Sequence, residues 1–384
     1  MGFGAVITRG DDFTVVEDIM PWIVEARVEM ELSKPTRFAL RFEDDLCEGD
    51  PEVAENDALR ANEMIGVFVS VDNALHCLVF GPITRIKTSS TTGGTGSWVE
   101  VHGEDRRAIM SRIEQQVTWT GRASDAARAI LSAWSIPAKV EDTLKDYKDS
   151  KNGLSQRATD LAFIEDIARK NLLEFWLEYG PVESKSDGKL ACPYLARLES
   201  SPPAGTMPAP VPALVPEGDY IIDLHPPPDK CVKVTRFDAK VDFERPSAAK
   251  GFAQSAETGK ELEAPKEEPV EPLSPDWDKM DKAGGEVTRT AVAPAEATDE
   301  DEQGLAARAM LLEASWFVEV DCSATLEMLE FCVKPHMIVD VQHAGTRLSG
   351  AYQVKSATHV INAADHFIDF KLRANGLPAP KGTA

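Results

Sequence analysis

The chain carries residue types that do chemistry, but not in the spacings that chemistry needs. Four histidines form two pairs seven residues apart, His336/His343 and His359/His366. Imidazoles bind zinc. On one strand an odd spacing sends the two rings to opposite faces. Each pair therefore reads as scattered polar side chains, with a metal site only where strands cross. Glu43-Asp44-Asp45 with Glu48 and Asp50 offers carboxylates for calcium, yet lacks the alternating ligands and the glycine of an EF-hand loop. It reads as a solvated loop after a strand. Glu174 and Glu178 are the sort of carboxylates a glycosidase uses, but nothing marks that pair off from others. Trp119, Trp134 and Trp176 read as core or interface anchors rather than a sugar platform. Thr258-Gly259-Lys260-Glu261 lacks the glycine spacing and hydroxyl of a phosphate-binding loop. Leu348-Ser349-Gly350 is a turn, not a nucleophile elbow, and there is no HExxH helix. No catalytic, cofactor-binding or metal-ligating residue is assigned.

Six cysteines, Cys47, Cys77, Cys192, Cys231, Cys322 and Cys332, include no CxxC pair and no zinc spacing with histidine. Several lie in apolar strand patterns, as Cys77 does in Leu75–Phe80, and read as buried, reduced thiols made in a cytoplasm. The formal charge of -23 argues against a nucleic-acid-binding face. No signal peptide is evident at Met1–Asp11, and no apolar run is long enough to span a bilayer.

The elements that would position any site are mostly strands. In Arg27–Leu32, Val28, Met30 and Leu32 alternate with charged neighbours, and in Arg37–Phe42, Phe38, Leu40 and Phe42 alternate with Arg37, Ala39 and Arg41. Period-two alternation sets one face to a core and the other to water. Ile65–Val71, Leu75–Phe80, Ile83–Thr88 and Trp98–His102 follow, with turns at Asp72-Asn73 and Thr92–Gly96. The period then changes. Ser124 is the expected N-cap of a helix bearing Ala127, Ile130, Leu131 and Trp134, which Pro137 ends. Thr159-Asp160 opens a second helix with Leu161, Ile164, Ala168 and Leu172 on one face. Strand character returns at Leu173–Tyr179, followed by a hairpin to Leu198. Ser201–Pro216 is a Pro/Ala-rich connector. Val232–Phe243, Trp316–Val320, Met337–Val341, Ala351–Val360 and His366–Leu372 read as further strands, and Leu305–Glu313 as a helix. Gly251–Gln303 is dense in Glu, Pro, Lys, Ala and Thr and reads as an exposed, largely disordered acidic insertion, with Trp277 and Met280 docking locally.

Four stretches, in order, resemble the late control D family of phage-tail baseplate hubs. Val99–Met110, through Gly103-Glu104-Asp105-Arg106, resembles its strand, Gly, x, Asp-Arg, helix junction. Thr118–Ala127 resembles the helix entry that follows. Gln156–Asn171 with Leu173–Leu177 is the best match, and Leu348–His359 is similar to its Gly-x-Tyr-x-Val ending with a later histidine. The resemblance implies a non-enzymatic structural subunit with two tube-type β-barrel domains per chain. Three chains would form a nearly six-fold ring that joins a three-fold spike to a six-fold inner tube. An acidic lumen would let cargo pass without sticking. VgrG-type relatives continue into a spike. This sequence does not, so the spike is expected to be a separate protein.

The expected fold is therefore α+β and β-dominated. A first barrel spans 1–104, and a helix-plus-hairpin domain with its connector spans 105–215. A second, discontinuous barrel spans 216–250 and 305–378, around the insertion at 251–304. The expected partners are further copies of the chain in a homotrimer, a separate spike, an inner tube or tube initiator and other baseplate proteins. No cofactor, specific nucleic-acid binding or membrane insertion is expected. The setting is a phage tail or contractile injection particle assembled from cytoplasmic subunits. The rivals are a tail-associated cell-wall hydrolase, which needs a carboxylate pair in a cleft, and a soluble ligand-binding β protein, which needs a tight small-molecule site.

Overall fold

The computed structural model describes residues 3–44, 52–91, 96–148, 153–185, 189–200, 220–228, 233–254, 261–267, 272–274, 277–284, 288–293 and 300–378. Alternating sequence became alternating strands. The N-terminal half contains β1 (Ala5–Arg9), β2 (Thr14–Val15), β3 (Ile23–Glu31), β4 (Arg37–Glu43), β5 (Met64–Val71), β6 (Ala74–Ser89) and β7 (Trp98–Glu104). The insert contains β8 (Glu114–Trp119), α1 (Ala123–Ala133), β9 (Ala138–Val140), β10 (Leu154–Thr159), α2 (Asp160–Lys170), β11 (Glu174–Tyr179) and β12 (Tyr194–Glu199). The C-terminal half contains β13 (Ile221–Asp223), β14 (Arg236–Val241), β15 (Ala248–Gln254), β16 (Glu261–Glu267), β17 (Thr290–Ala293), α3 (Glu300–Ser315), β18 (Val318–Thr325), β19 (Ile338–Gln342), β20 (Gly350–Asn362) and β21 (His366–Ala374).

Two tube-type barrel domains were expected; the two halves share one 13-stranded sheet, and among the described residues its path does not close on itself. Its main run is β14-β18-β21-β20-β3-β4-β7-β6. The centre of that run is the antiparallel ladder from Glu31↔Ser356 to Glu25↔Asn362, which ties β3 to β20. Each half supplies four strands in the same spatial order. Counted along the chain within its half, that order is first, second, fourth, third: β3-β4-β7-β6 in one and β14-β18-β21-β20 in the other. The repeat extends to the long strands. β6 pairs with β5 through Pro82 and then with β7 from Ile83. β20 likewise pairs first with β19 and then with β21. The switch in β6 sits at Gly81, where a Cβ would lie 1.9 Å from the Glu104 carbonyl oxygen. The two strands expected at Leu75–Phe80 and Ile83–Thr88 are thus one bent strand.

Both halves bury their inward residues in a common core. Val28, Leu40, Val101, Val320, Ala357, Ile361 and Leu372 belong to one cluster. Each large apolar side chain so buried contributes about 1.5–3 kcal/mol before entropy is subtracted. The insert has its own core around Ile130, Leu131, Ile164, Ile167, Phe175 and Leu198. There the helix starts two residues earlier than expected. Arg122 is the N-cap, its backbone N–H donating to Asp125, while Ser124 is buried inside α1 against Thr143. Thr159 caps α2 as expected, accepting from the Ala162 N–H at 3.3 Å.

The acidic segment also departs from its composition. β15 pairs with β16 and β17, and α3 begins inside the acidic run at Glu300. Trp277 and Met280 are buried against the main core, as expected. The close approach of Trp277 to Gly350, at a φ of +144°, leaves no space for a Cβ. The connector 201–216, the Thr92–Gly96 turn residues 92–95, Cys47, Cys231, Asp45, Glu48 and Asp50 lie outside the described residues. The four cysteines described are free and buried.

The hairpin between β20 and β21 overturns the reading of His359 and His366. The chain reverses between them, so both rings point inward, at 0% and 7% exposure. His359 Nε2 faces the Val333 carbonyl at 2.9 Å, which can only accept, so that nitrogen carries the proton. His359 Nδ1 then accepts from His366 Nε2 at 2.9 Å, and His366 Nδ1 is left as a buried acceptor without a partner. Burial, followed by the neighbouring ring, pushes His359 down to about 3, and burial pushes His366 down to about 4. Below the ordinary value of 6.5 the unfolded chain takes up protons that this folded pair refuses. Stability should therefore fall as pH drops from about 6.5 to about 4, by up to roughly 6 kcal/mol from this pair. Urea denaturation at several pH values checks this. The His359→Gln/His366→Gln variant should show a shallower acid loss than the parent, and an unchanged slope would contradict the assignment.

Candidate functional site: a charged sheet face and its clamps

One face of the eight-strand run is the shared core. The other presents charged residues to solvent. Across β3, β4, β7 and β6, Arg27 meets Glu29 at 2.7 Å, Arg37 meets Glu104 at 3.2 Å and Lys87 meets Glu100 at 3.0 Å. Across β18, β20 and β21, Lys355 meets Glu319 at 2.8 Å and Lys371 meets Asp321 at 3.0 Å. Hydrogen bonding to Lys355 holds Glu319 below the usual carboxylate range. Burial alone would raise Glu100, but Lys87 and His102 together bring it below that range. Such half-exposed pairs stabilise the monomer little, roughly 0–1 kcal/mol each. Their effect is on the surface, which carries both signs close together.

Among the described residues, both edges of the run are unpaired. At one end β14 exposes Arg236, Asp238, Ala239 and Lys240. At the other, the second half of β6 exposes Thr84–Thr88, including Ile86 at 39%. An open edge offers unsatisfied N–H and C=O groups to another strand.

The insert is clamped to one end of this sheet by a buried ion pair. Asp105 and Arg107 are 1% and 2% exposed and bond at 2.7 Å. The Arg107 guanidinium also donates to the Phe175 carbonyl at 2.6 Å and the Lys34 carbonyl at 2.9 Å. Asp105 accepts the Thr36 N–H at 2.6 Å. One pair thus fixes the ends of β3, β4 and β7 to β11. Burial would lower Arg107, but the Asp105 charge outweighs it and holds the guanidinium charged. Gly103 lets the strand approach, because a Cβ there would fall 2.1 Å from the Phe38 ring. A second clamp reaches the C-terminal half. Arg373 meets Glu174 at 3.3 Å, donates to Gln353 at 2.8 Å and stacks over Trp316 at 4.1 Å.

The sequence candidates are accounted for by these contacts. Glu174 is held by Arg373 and His336, and Glu178 by Arg197. Trp176 stacks on His336 at 4.0 Å, and His343 lies elsewhere, against Asp223. Trp119 donates to Gln156, which donates to Asp160, which accepts from Trp134. That chain gives Gln156 and Asp160 a structural role that a plain amphipathic helix does not require. Asp44 accepts from the Val53 and Ala54 N–H groups. Among the described residues no cluster of metal-ligating side chains occurs. Nor is any helix long and apolar enough to cross a membrane. Sequence reading missed Arg107. It marked Asp105-Arg106, yet Arg106 lies half-buried over the Phe80 and Tyr194 rings and pairs with exposed Asp11.

No protein-family model and no curated protein matches the sequence. Solved structures do. The 43 kDa tail protein of prophage MuSo2 from Shewanella oneidensis aligns at a TM-score of 0.62 and 10% identity, over 96% of this chain and 97% of its own. A tail protein from Neisseria meningitidis aligns at 0.60 and 12% identity, over 97% and 96%. An E. coli type VI secretion component, described as similar to the bacteriophage T4 tail proteins gp27 and gp5, aligns at 0.52 and 12%, over 98% and 77%.

The clamp makes a sharp prediction. Arg107→Met strands a buried carboxylate and should cost about 3–5 kcal/mol, whereas Arg37→Gln, in an exposed pair with Glu104, should cost under about 1 kcal/mol. Urea denaturation of both variants distinguishes them, and equal losses would contradict the clamp. With its repeated halves and its clamped insert, this chain has the fold of these phage tail and type VI secretion proteins.

Proposed function

We propose that the chain is a structural hub subunit of a phage tail or contractile injection particle. In this reading it forms a trimeric ring that joins a three-fold spike to a six-fold inner tube. The observation that carries it is the eight-strand run with two open edges, built from two four-strand halves in the same order. If the free edge of β14 in one copy pairs with the free edge of β6 in the next, the contact is heterologous, and a ring closes without leaving an edge. Three copies then give a wall of twenty-four strands that is three-fold by chain and nearly six-fold by half. Because the core covers one face, the charged face would line the lumen. A wall bearing both signs offers neither a polyanion nor a polycation a continuous binding track. The carboxylates of a hydrolase reading, Glu174 and Glu178, are held in ion pairs, which favours a structural role over that rival. A separate spike protein, the inner tube and other baseplate proteins are the partners such a ring needs.

The test places cysteines at the two edges, Lys87→Cys and Lys240→Cys in one chain, and joins them with a short bismaleimide. The reading expects a covalent ladder that stops at three chains and is absent from either single variant. A ladder that continues past three, or no linkage at concentrations where the protein associates, would contradict edge-to-edge closure.

A further inference from the structure

A cavity of about 1210 Å³ opens where the two halves and the insert meet. Its walls come from the β3–β4 turn, the β5–β6 hairpin, the end of β11, β13 and the segment before β19. Met30, Leu75, Leu78, Phe331 and Met337 make much of it apolar. The charges on its walls are largely cancelled within the chain. Lys34 pairs with Glu31, Lys233 with Glu330 and Arg107 with Asp105. Lys334 is different. Its Nζ donates to the Cys77 carbonyl at 2.8 Å, and it has no carboxylate partner among the described residues. On the same cavity stands Tyr220, whose Oη is buried without a hydrogen-bond partner. An ammonium in a partly enclosed apolar site is stabilised by a counter-charge that water supplies poorly there.

We propose that this cavity binds an apolar chain ending in a carboxylate, with Lys334 as its ion-pair partner and Tyr220 as a second donor. The volume exceeds the roughly 300–1,000 Å³ of most small-ligand sites. It therefore admits either a free alkyl carboxylate or the C-terminal residues of a polypeptide. The two sources share one chemistry, an apolar body and a terminal anion. The proposal does not depend on the ring.

Trp176 lies on the cavity wall and provides a fluorescence signal in the full chain. Titration with octanoate tests the alkyl source, and acetyl-Leu-Val-Leu with a free carboxylate tests the peptide source. Saturable binding of either should weaken about tenfold or more in Lys334→Met, and persist in Lys334→Arg. Octanol and the peptide amide should bind correspondingly less. Tyr220→Phe keeps the ring and should show a smaller loss, which guards against a folding defect in Lys334→Met. Octanoate without the peptide identifies an alkyl ligand, and the reverse identifies a polypeptide end. The proposal is overturned if octanol binds as well as octanoate. It is also overturned if octylamine, which would select the free oxygen of Glu178, binds better, or if neither carboxylate binds.

Discussion

A β-sheet cannot end without leaving a row of backbone donors and acceptors unpaired, and most of this structure follows from where that row has been placed. Seven residue pairs between β3 and β20 remove what would otherwise be two further edges, one per half. Two four-stranded units thereby become one eight-strand run that, among the described residues, is unpaired at each end. The common core depends on the same ladder, since Val28 and Ala357 reach it from opposite sides of the junction. Charged side chains on the exposed face then keep the sheet from stacking on another, while leaving its edges open to pairing.

The insert solves a different problem. A wide sheet twists and flexes unless something braces it. Asp105–Arg107 and Glu174–Arg373 brace both halves to the same short strand, β11. A buried ion pair adds little net stability over an apolar alternative, yet breaking it is costly, and its fixed geometry suits alignment better than cohesion. The Trp119–Gln156–Asp160–Trp134 chain does the same inside the insert, holding the β8–β10 ribbon against both helices.

How much of this the sequence disclosed depends on the range of the interaction. Val28, Met30, Phe38, Leu40 and Phe42 mark their strands by alternation, a local signal, and Thr159 marks a helix start. The β3–β20 ladder joins residues more than three hundred positions apart in the chain, and no local pattern announces it. Arg107 was overlooked because adjacent arginines are indistinguishable until the turn after β7 decides which one points inward. His359 and His366 were misjudged because parity along a strand is reset by a tight hairpin. The pairing of β15 with β16 and β17 and the start of α3 have no mark in the acidic segment's composition, which measures only the average tendency to order.

The central claim is that three chains close a common wall through their free edges. The most direct measurement is light scattering of the purified chain across a concentration series, with electron-microscope images of the largest species. The account predicts a mass of three chains at the upper end, seen end-on as a three-fold ring with a central channel and near six-fold density around it. A larger species that proves to be a two-fold dimer or an open filament would contradict it.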